Sequence, residues 1–568
     1  MAKYSIGLDF GTNSCRSLIV DISNGKELAS NVFDYPSGEA GIILDSKNPD
    51  LARQNPADYI EGIEVTIKSA LHQAEKNVPG FSPKQVIGIG VDTTGSSPMP
   101  VDSKGNPLCF HEKFKDNPSS MVWLWKDHTS HEEALKITAL AEKIRPEYLA
   151  KIGGVYSSEW FWSKILHLKQ QDPEVFNVAE SFVEICDWIP AVLTGNTNPD
   201  NLKRSICAAG HKALYNKSWG GLPDEEFLNT LSPGLGSIRN KLYNRAYSAE
   251  QRMGFLSAEW AEKLGLSTEV SVAVGAFDAH MGAVGAGVST GTLVKILGTS
   301  TCDVMVWPNN RELSDIPGVC GIVDGSVMGD YYGIEAGQSA VGDIFLWFVN
   351  QLVPDTYGKT QDEKFRNLET EAAKLLPGET GLLALDWNNG NRTILVDVRL
   401  TGLLLGQTLY TKPHEIYRAL VEATAFGALA IIDRIQNNGV QIDQIVNCGG
   451  LAVKNSLLMQ IYADITGRPM KVSRSEQTPA LGAAMFGAIS AGTEICGFHN
   501  MLEAQQAMSG VSKVYEPYKT NHAIYKKLYK LYMQLHDGFG TPAGSKKMYN
   551  VMKDLLDIRD RVRRGKSC

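Results

Sequence analysis

Tyr4-Ser-Ile-Gly-Leu-Asp-Phe-Gly-Thr-Asn-Ser14 is a short apolar run that ends in a carboxylate and opens into a turn of glycine and hydroxyl residues. The apolar run over residues 4–8 predicts a buried strand, and residues 11–14 predict a tight turn. Further strands are predicted over residues 16–21 and 26–33. Together these segments predict an antiparallel meander at the start of a domain.

The turn after this strand has the chemistry of a phosphate-binding loop. A glycine lets the backbone approach a phosphate closely, and successive backbone amides form a nest for an anion. We therefore predict that Gly11, Thr12 and Asn13 contact phosphate groups. A carboxylate beside a phosphate is repulsive unless a cation lies between them, so Asp9 predicts bound Mg²⁺, held directly or through water. The alternative is a plain hairpin with a glycine turn.

The second half of the chain repeats the opening pattern. Residues 293–297 predict a strand, Gly298-Thr299-Ser300-Thr301 a turn, and residues 303–307 another strand. Two strand-turn-strand units that lie about 290 residues apart predict a duplicated fold. Two such turns facing each other would hold a polyphosphate from both sides, so Gly298, Thr299 and Ser300 join the predicted phosphate site. The sequence lacks a Gly-x-x-x-x-Gly-Lys-Ser/Thr motif, which argues against a P-loop ATPase.

The last third alternates helices and strands. Helices are predicted over residues 415–436, 456–466 and 479–491, with strands over 444–448 and 470–473 between them, which is α/β organisation. The paired Gly449 and Gly450 end the first of these strands and precede a helix. Such a junction offers a flat surface for a purine and ribose, and we assign Gly449, Gly450 and Asn455 to the nucleotide. The alternative is a glycine pair needed for packing alone.

Length and composition limit the class of protein. A chain of 568 residues exceeds one compact core, and we predict two domains, 1–270 and 271–568, with a boundary uncertain by about ten residues. The net charge of −8 argues against nucleic acid as a partner. Nine dispersed cysteines without a Cys-x-x-Cys pair predict reduced thiols. The N-terminus lacks a signal-peptide pattern and no apolar run is long enough for a membrane span, so we expect a cytoplasmic protein that does not bind membranes.

The glycine-rich turns carry a resemblance to a known family. The segments 9–12, 298–300 and 449–450 come in the order and spacing of the FGGY carbohydrate kinases, and the resemblance covers essentially the whole chain. It implies an α/β fold of two actin-like, ribonuclease-H-like domains with an ATP and sugar cleft between them. The sugar-binding side would lie in the first domain and the nucleotide-binding side in the second. One departure is Gln407, where the family more often has an aliphatic residue.

Within the family, four segments resemble the members that act on L-ribulose: 91–96, 124–128, 334–343 and 385–392. This resemblance implies transfer of the γ-phosphoryl group of MgATP to L-ribulose, giving L-ribulose 5-phosphate, in L-arabinose catabolism. The alternatives are a kinase of the same family for D-ribulose, xylulose or a polyol, and a switch ATPase of the actin or heat-shock type without a sugar substrate. The expected partners are a small sugar and ATP, and a homodimer is left open.

The same resemblance implies the residues of a sugar pocket. Around the sugar it places Gly95, Ser96, Trp125, Lys212, Glu335 and Asp278. Asp278 would be the general base that takes the proton of the terminal hydroxyl. The alternatives are that Asp278 caps a helix, that Trp125 is a core residue, and that Lys212 is a surface lysine. The run 126–128 is open to interpretation as a solvated turn or a salt bridge. His128, His211 and His280 lack metal-ligand spacing in the sequence, which argues against a zinc site.

Overall fold

The computed structural model describes residues 2–545, 548–550, 552–554 and 556–557. Its two large sheets are built from separate halves of the chain. The strands up to residue 277 are β1 (Tyr4–Phe10), β2 (Ser14–Asp21), β3 (Lys26–Asp34), β4 (Ile43–Asp45), β5 (Asn48–Gln54), β6 (Val86–Thr93), β7 (Pro98–Val101), β8 (Val122–Trp123), β9 (Ser181–Glu184), β10 (Arg204–Ser205), β11 (Ala246–Tyr247), β12 (Arg252–Phe255), β13 (Ser271–Ala273) and β14 (Ala276–Phe277). The later strands are β15 (Thr292–Leu297), β16 (Thr301–Pro308), β17 (Gly321–Asp324), β18 (Tyr331–Ala336), β19 (Leu383–Leu385), β20 (Leu403–Leu405), β21 (Gln444–Cys448), β22 (Met470–Ser473) and β23 (Val511–Tyr515).

Helices cover the sheets and form the insertions between strands. Those of the first half are α1 (Pro56–Asn77), α2 (His131–Ile144), α3 (Pro146–Ala150), α4 (Phe161–Gln171), α5 (Pro173–Val178), α6 (Ile185–Thr194), α7 (Ile206–Lys212), α8 (Glu225–Leu231) and α9 (Ala258–Leu264). Those of the second half are α10 (Asp278–Gly285), α11 (Gly342–Leu352), α12 (Gln361–Ala372), α13 (Pro413–Asn437), α14 (Gly450–Lys454), α15 (Ser456–Thr466), α16 (Thr478–Ser490), α17 (Thr493–Cys496), α18 (Met501–Met508) and α19 (Lys519–Gly540).

The two sheets share one topology. In the first, the strand order is β12-β13-β6-β1-β2-β3, and β14 also pairs with β6; in the second it is β17-β18-β16-β15-β21-β22-β23. In each sheet a hairpin, β1-β2 or β15-β16, joins a parallel strand, β6 or β21. The predicted duplication and the two-domain α/β fold class are therefore confirmed. The first sheet includes β13 and β14, which follow residue 270, and the exact domain boundary stays a prediction.

One helix of the second half packs closely against the first sheet. At Gly7 of β1 and Gly90 of β6, an added Cβ would lie 1.8 Å from a backbone oxygen of α16. Only glycine permits this approach of helix to strand. Helix α16 also packs on α10, the helix that begins at Asp278. This packing fixes the start of α10 relative to the ends of β1 and β6, where the predicted catalytic groups lie.

The helices and strands predicted from the sequence agree closely with the structure where a segment has a clear hydrophobic pattern. The predicted segments 444–448, 456–466 and 470–473 are β21, α15 and β22 without shift. The residue pattern also predicts helix over residues 525–564 with a basic, solvated end; α19 covers Lys519–Gly540 and so begins and ends earlier, and the basic end lies outside the described residues. Among the described helices, none is by itself long and apolar enough to span a membrane; the bent pair Thr478–Ser490 and Thr493–Met508 meets that measure only when its two parts are taken together.

Candidate active site

The first glycine turn joins β1 to β2 at the end of the first sheet. The Gly11 amide donates to the Ser14 carbonyl at 2.9 Å, which closes the turn. The Thr12 hydroxyl accepts from the indole nitrogen of Trp125 at 3.0 Å, and the Asn13 side chain donates to the Ala40 carbonyl at 2.7 Å. These contacts hold the turn in place before any ligand binds. They also bring Trp125, predicted to contact the sugar, against the predicted phosphate turn.

The second glycine turn joins β15 to β16 and rests on the first turn of α11. The Gly298 amide donates to the Ser300 carbonyl at 3.0 Å. The Thr299 carbonyl accepts from the amides of Val341 at 2.8 Å and Asp343 at 3.1 Å. The amides of this helix start are therefore partly used to position the turn. The two turns occupy equivalent places in the two sheets, as the duplicated sequence pattern predicts.

The paired glycines lie next to the second turn. Gly449 has a φ of +88°, and a Cβ there would meet the Leu297 carbonyl oxygen at 2.5 Å, so this position requires glycine. Around Gly450 nothing lies within 4 Å of an added Cβ, which leaves its surface open to a ligand.

Asn455, the third residue assigned to the nucleotide, has its side chain already hydrogen-bonded within the protein. Its oxygen accepts from the Leu458 amide at 2.8 Å and its nitrogen donates to Glu369 at 2.8 Å, so its side chain caps α15. A contact of Asn455 with nucleotide stays a prediction.

Three carboxyl groups converge where β1, β6 and α10 end. Asp9 and Asp92 are register partners on the parallel strands β1 and β6, and Asp278 is the first residue of α10. Arg16 lies 3.5 Å from Asp9. Among the described residues, neither buried oxygen of Asp92 has a hydrogen-bond partner. Burial, followed by the charges of Asp9 and Asp278, raises the pKa of Asp92 well above its usual value. The sequence analysis missed Asp92, because an acidic residue inside a strand carries no motif signal.

Asp278, the predicted general base, lies buried at the start of α10. One of its oxygens accepts from the adjacent Ala279 amide at 2.7 Å. The residue before the helix is Phe277, and Asp278 itself stands in the first turn, so it does not act as the N-cap. Burial, followed by the charge of Asp9, raises the pKa of Asp278 to about 7. A carboxyl group poised near neutral pH is suited to accept a proton from a hydroxyl.

Lys212 and Glu335 form a buried ion pair beside Asp278. Lys212 ends α7 in the first half, Glu335 lies on β18 in the second, and the ammonium is 3.3 Å from the nearer carboxylate oxygen. Burial opposes both charges, yet Glu335 keeps the pKa of Lys212 above its ordinary value, and Lys212 keeps that of Glu335 well below. Both charges also act on the pKa of Asp278. Lys212 is thus buried, and the alternative of a surface lysine is wrong.

Trp125 lies on a loop that a second buried ion pair holds. Asp127 is fully buried, pairs with Arg53, and accepts from the Ala52 amide at 2.7 Å. The Arg53 guanidinium stacks 3.5 Å from the centre of the Trp123 ring. The run 126–128 is therefore a loop held by a salt bridge. Of the two interpretations that the sequence allowed, the salt bridge is correct and the solvated turn is wrong. Trp125 is only partly buried, which leaves part of its ring free to form a wall for a ligand.

Ser96 is tied into the protein interior. Its hydroxyl donates to Glu184, and its carbonyl accepts from Lys164 at 2.8 Å. Lys164 also donates to the Leu124 carbonyl at 2.8 Å, next to Trp125. Burial raises the pKa of Glu184 to about 7 and lowers that of Lys164 to about 8. These two residues, which no sequence motif singles out, link the predicted sugar-binding segments at Ser96 and Trp125.

Two of the three singled-out histidines come together in space. His211 and His280 have ring centres 4.5 Å apart, and both face Glu335. His128 lies elsewhere, with its Nδ1 3.1 Å from the Ser158 hydroxyl. Sequence spacing therefore does not decide whether this pair shares a site, and the absence of a zinc site stays a prediction. Residues that are 69 positions apart can share a site, because the last turn of α7 lies against the first turn of α10.

Gly95 packs on the residue before the predicted base. A Cβ at Gly95 would lie 1.8 Å from the Phe277 ring, so Gly95→Ala forces Phe277, and with it the start of α10, to move. We expect the variant to lose about 1–3 kcal/mol of unfolding free energy. Urea denaturation measures this loss, with Gly538→Ala as the control, because an added Cβ there meets nothing within 4 Å. Equal stability of both variants would show that Gly95 is not required for this contact.

The family comparison agrees with this arrangement. The family model for the N-terminal domain of the FGGY family of carbohydrate kinases matches residues 4–285, and the C-terminal domain model matches residues 293–491. The chain therefore belongs to the FGGY family of carbohydrate kinases, and it is an ATP-dependent sugar kinase.

Individual relatives and solved structures give a more specific comparison than the family models. The chain is 42% identical over 576 residues to a ribulokinase of Shouchella clausii, covering 100% of this chain and 99% of the relative. It is 43% identical over 568 residues to a ribulokinase of Halalkalibacterium halodurans, covering 98% of each. Among solved structures, a gluconate kinase from Lactobacillus acidophilus matches 95% of this chain and 99% of its own, with 20% identity and a TM-score of 0.75. A xylulose kinase from Rhodospirillum rubrum matches with 19% identity and a TM-score of 0.76, covering 94% and 99% of the two chains. These structures share the fold.

Proposed function

We propose that this chain transfers the γ-phosphoryl group of ATP to the terminal hydroxyl of L-ribulose, forming L-ribulose 5-phosphate and ADP in L-arabinose catabolism. The observation that carries the proposal is one continuous cluster of charges. Asp278, with its pKa near neutrality, lies within electrostatic reach of Asp9 on the phosphate side and of the Lys212–Glu335 pair on the sugar side. The full-length similarity to two ribulokinases supports L-ribulose as the sugar. Because the reaction consumes ATP for catabolism, we place it in the cytoplasm.

The residues around Asp9 suit Mg²⁺. Asp9 and Asp92 offer carboxylate oxygens side by side, and both oxygens of Asp92 lack hydrogen-bond partners among the described residues. Oxygen donors of this kind are the ligands that Mg²⁺ prefers, usually together with water and substrate phosphates. When bound, Mg²⁺ would neutralise charge on the transferred phosphoryl group. Asp9 would hold the ion, directly or through water.

The other groups of the site would bind the phosphates, the nucleoside and the sugar, and accept the proton. The amides of the turns at Gly11 and Gly298 would bind the phosphates, and the surface at Gly449–Gly450 would carry the nucleoside. Lys212 would donate to a hydroxyl or the carbonyl of the sugar, Glu335 would accept from hydroxyls, and Trp125 would cover the C–H face. Asp278 would accept the proton of the terminal hydroxyl as the phosphoryl group arrives.

The identity of the sugar substrate is tested with a panel of pentuloses and polyols. We expect kcat/KM for L-ribulose to exceed that for D-ribulose, for the xyluloses and for polyols in an assay that couples ADP formation to a signal. A site built to hydrogen-bond a hydroxyl leaves buried polar groups unpaired with the wrong epimer, which costs several kcal/mol. A larger kcat/KM for a xylulose or a polyol would reject L-ribulose as the substrate and leave another sugar of this family in its place.

The activity is expected to depend on pH through Asp278. Burial and Asp9 raise the pKa of Asp278 to about 7, and a base must be unprotonated to act, so kcat/KM rises with pH below neutrality and levels off above it. We expect a rise of about tenfold between pH 6 and pH 8. Burial also raises the pKa of Glu184 to about 7, so the residual activity of Asp278→Asn is the control. A wild-type profile that is flat over this range, or an unchanged profile in the variant, would contradict the role of Asp278.

A further inference from the structure

His211, His280 and Glu335 form a compact buried cluster, and the proposed reaction gives its two histidines no role. His211 comes near the end of α7, His280 in the first turn of α10, and Glu335 on β18. Each offers one ligand atom, and these atoms all lie within 4.8 Å of one another. The Glu335 Oε2 atom is 3.3 Å from His211 Nδ1 and 3.6 Å from His280 Nε2.

The hydrogen bonds around His211 fix which atom faces the carboxylate. Its Nε2 lies 3.0 Å from the Ser326 hydroxyl, and that hydroxyl donates to the Val323 carbonyl at 3.2 Å. In the tautomer in which this proton goes to Val323, His211 Nε2 carries the hydrogen and donates it to Ser326. The other nitrogen, Nδ1, is then left with a bare lone pair directed at Glu335. A lone pair and a carboxylate oxygen at this distance repel each other unless a positive charge lies between them.

Among the described residues, three of the four ring nitrogens of these imidazoles have no hydrogen-bond partner. His211 Nδ1 and both nitrogens of His280 are buried without a hydrogen-bond partner. Lys212 donates to Glu335, at 3.3 Å from Oε1 and 3.5 Å from Oε2, and an ammonium cannot accept from a ring N–H. Burial lowers the pKa of His211 well below its usual value and that of His280 to about 4, so both rings are neutral, which is the form that binds metals.

Two of the three ligand-to-ligand distances match those of a tetrahedral ion. With bonds of about 2.0–2.2 Å, two ligands of tetrahedral zinc are about 3.3–3.6 Å apart. The two contacts of Glu335 Oε2 with the histidines, 3.3 and 3.6 Å, have this length. A metal-binding histidine also donates its other N–H to a protein oxygen, as His211 does to Ser326. Three protein ligands leave a fourth position for water or a sugar hydroxyl.

We propose that His211, His280 and Glu335 bind a divalent cation of the zinc type, and that this ion and the sugar exclude each other. The second part rests on the proposed function, because Glu335 is the residue assigned to the sugar hydroxyls. The site is distinct in chemistry from the carboxylates at Asp9, since nitrogen ligands favour zinc over magnesium. The charge of Lys212 opposes the ion, so the binding is reversible and zinc acts as an inhibitor competitive with the sugar.

The test is direct binding of Zn²⁺ to the purified full-length chain without nucleotide, in excess Mg²⁺ to occupy oxygen-only sites. Zn²⁺ affinity is measured by competition with a chromogenic chelator, and Co²⁺ serves as a second probe through its tetrahedral absorption bands. We expect His280→Gln to weaken Zn²⁺ binding at least about tenfold. His72→Gln is the matched control, because His72 is exposed on α1 far from the cluster, and it should bind as the wild type does. If His280→Gln does not fold by circular dichroism, Glu335→Gln replaces it.

The outcomes separate the two parts of the proposal. Equal Zn²⁺ affinity in the wild type and the cluster variant, or no binding by the wild type, would overturn the site and leave the kinase proposal untouched. Excess L-ribulose should weaken Zn²⁺ binding to the wild type. Histidine-dependent binding that L-ribulose does not weaken would overturn the mutual exclusion and contradict the assignment of Glu335 to the sugar.

Discussion

Asp278→Asn is expected to lower kcat by about 10²–10⁴-fold, the usual contribution of a general base. The amide oxygen of asparagine can still accept from the Ala279 amide, which in the wild type donates to Asp278 at 2.7 Å. The start of α10 should therefore keep its shape. An amide cannot take a proton at neutral pH, so the loss should fall on the chemical step, while KM for ATP and for the sugar changes little.

The control for this variant is another carboxylate in the first turn of a helix. Asp362→Asn on α12 removes an exposed acidic group of the same kind, and we expect it to keep wild-type kcat. Melting curves of both variants show whether stability is affected. A large drop in melting temperature for Asp278→Asn alone would show that Asp278 mainly stabilises the start of α10. Near-normal kcat would show that Asp278 is not the base and would make Glu335 the next candidate.

Asp9→Asn is expected to weaken the apparent affinity for Mg²⁺ in the kinase reaction by about 10–100-fold. Asp9 lies on the phosphate side of the cluster, next to Asp92 and 3.5 Å from Arg16. Removing its charge leaves the sugar residues Lys212 and Glu335 in place. Turnover at low Mg²⁺ should therefore fall steeply and recover in part as Mg²⁺ is raised.

Sugar binding without nucleotide separates the two possible roles of Asp9. Calorimetry should give nearly the same affinity for L-ribulose in Asp9→Asn and in the wild type. Asp34→Asn, an exposed carboxylate at the end of β3, is the control for the charge change alone. If Asp9→Asn abolishes sugar binding, the assignment of Asp9 to the metal is wrong.

The parts of the fold that the sequence predicts are those in which local pattern and tertiary structure agree. The strand from Tyr4 and the turn at Gly11 follow from an apolar run and a glycine, and the repeat at Gly298 reveals the duplication. Gly449 also follows a local rule, because its positive φ needs glycine. Such features depend on neighbouring residues and are therefore visible in one sequence.

The sequence does not reveal which residues from distant parts of the chain lie together in the fold. The surroundings of Lys212 and Ser96 are built by the helical insertion that lies between β7 and β12, and its packing has no sequence period that places one helix against another. Asp92 and the His211–His280 pair acquire their properties only when strands and helices from distant parts of the chain meet. Their positions depend on three-dimensional packing, and local propensity does not encode it.

The central claim is that ATP is consumed to phosphorylate a bound sugar, and ADP formation by the wild-type chain with MgATP, with and without L-ribulose, tests it most directly. The account predicts slow ADP formation without sugar, strong stimulation by L-ribulose, and one L-ribulose 5-phosphate formed for each ADP. Equal ADP formation with and without each sugar of the panel, with no sugar phosphate produced, would contradict the account and favour a switch ATPase.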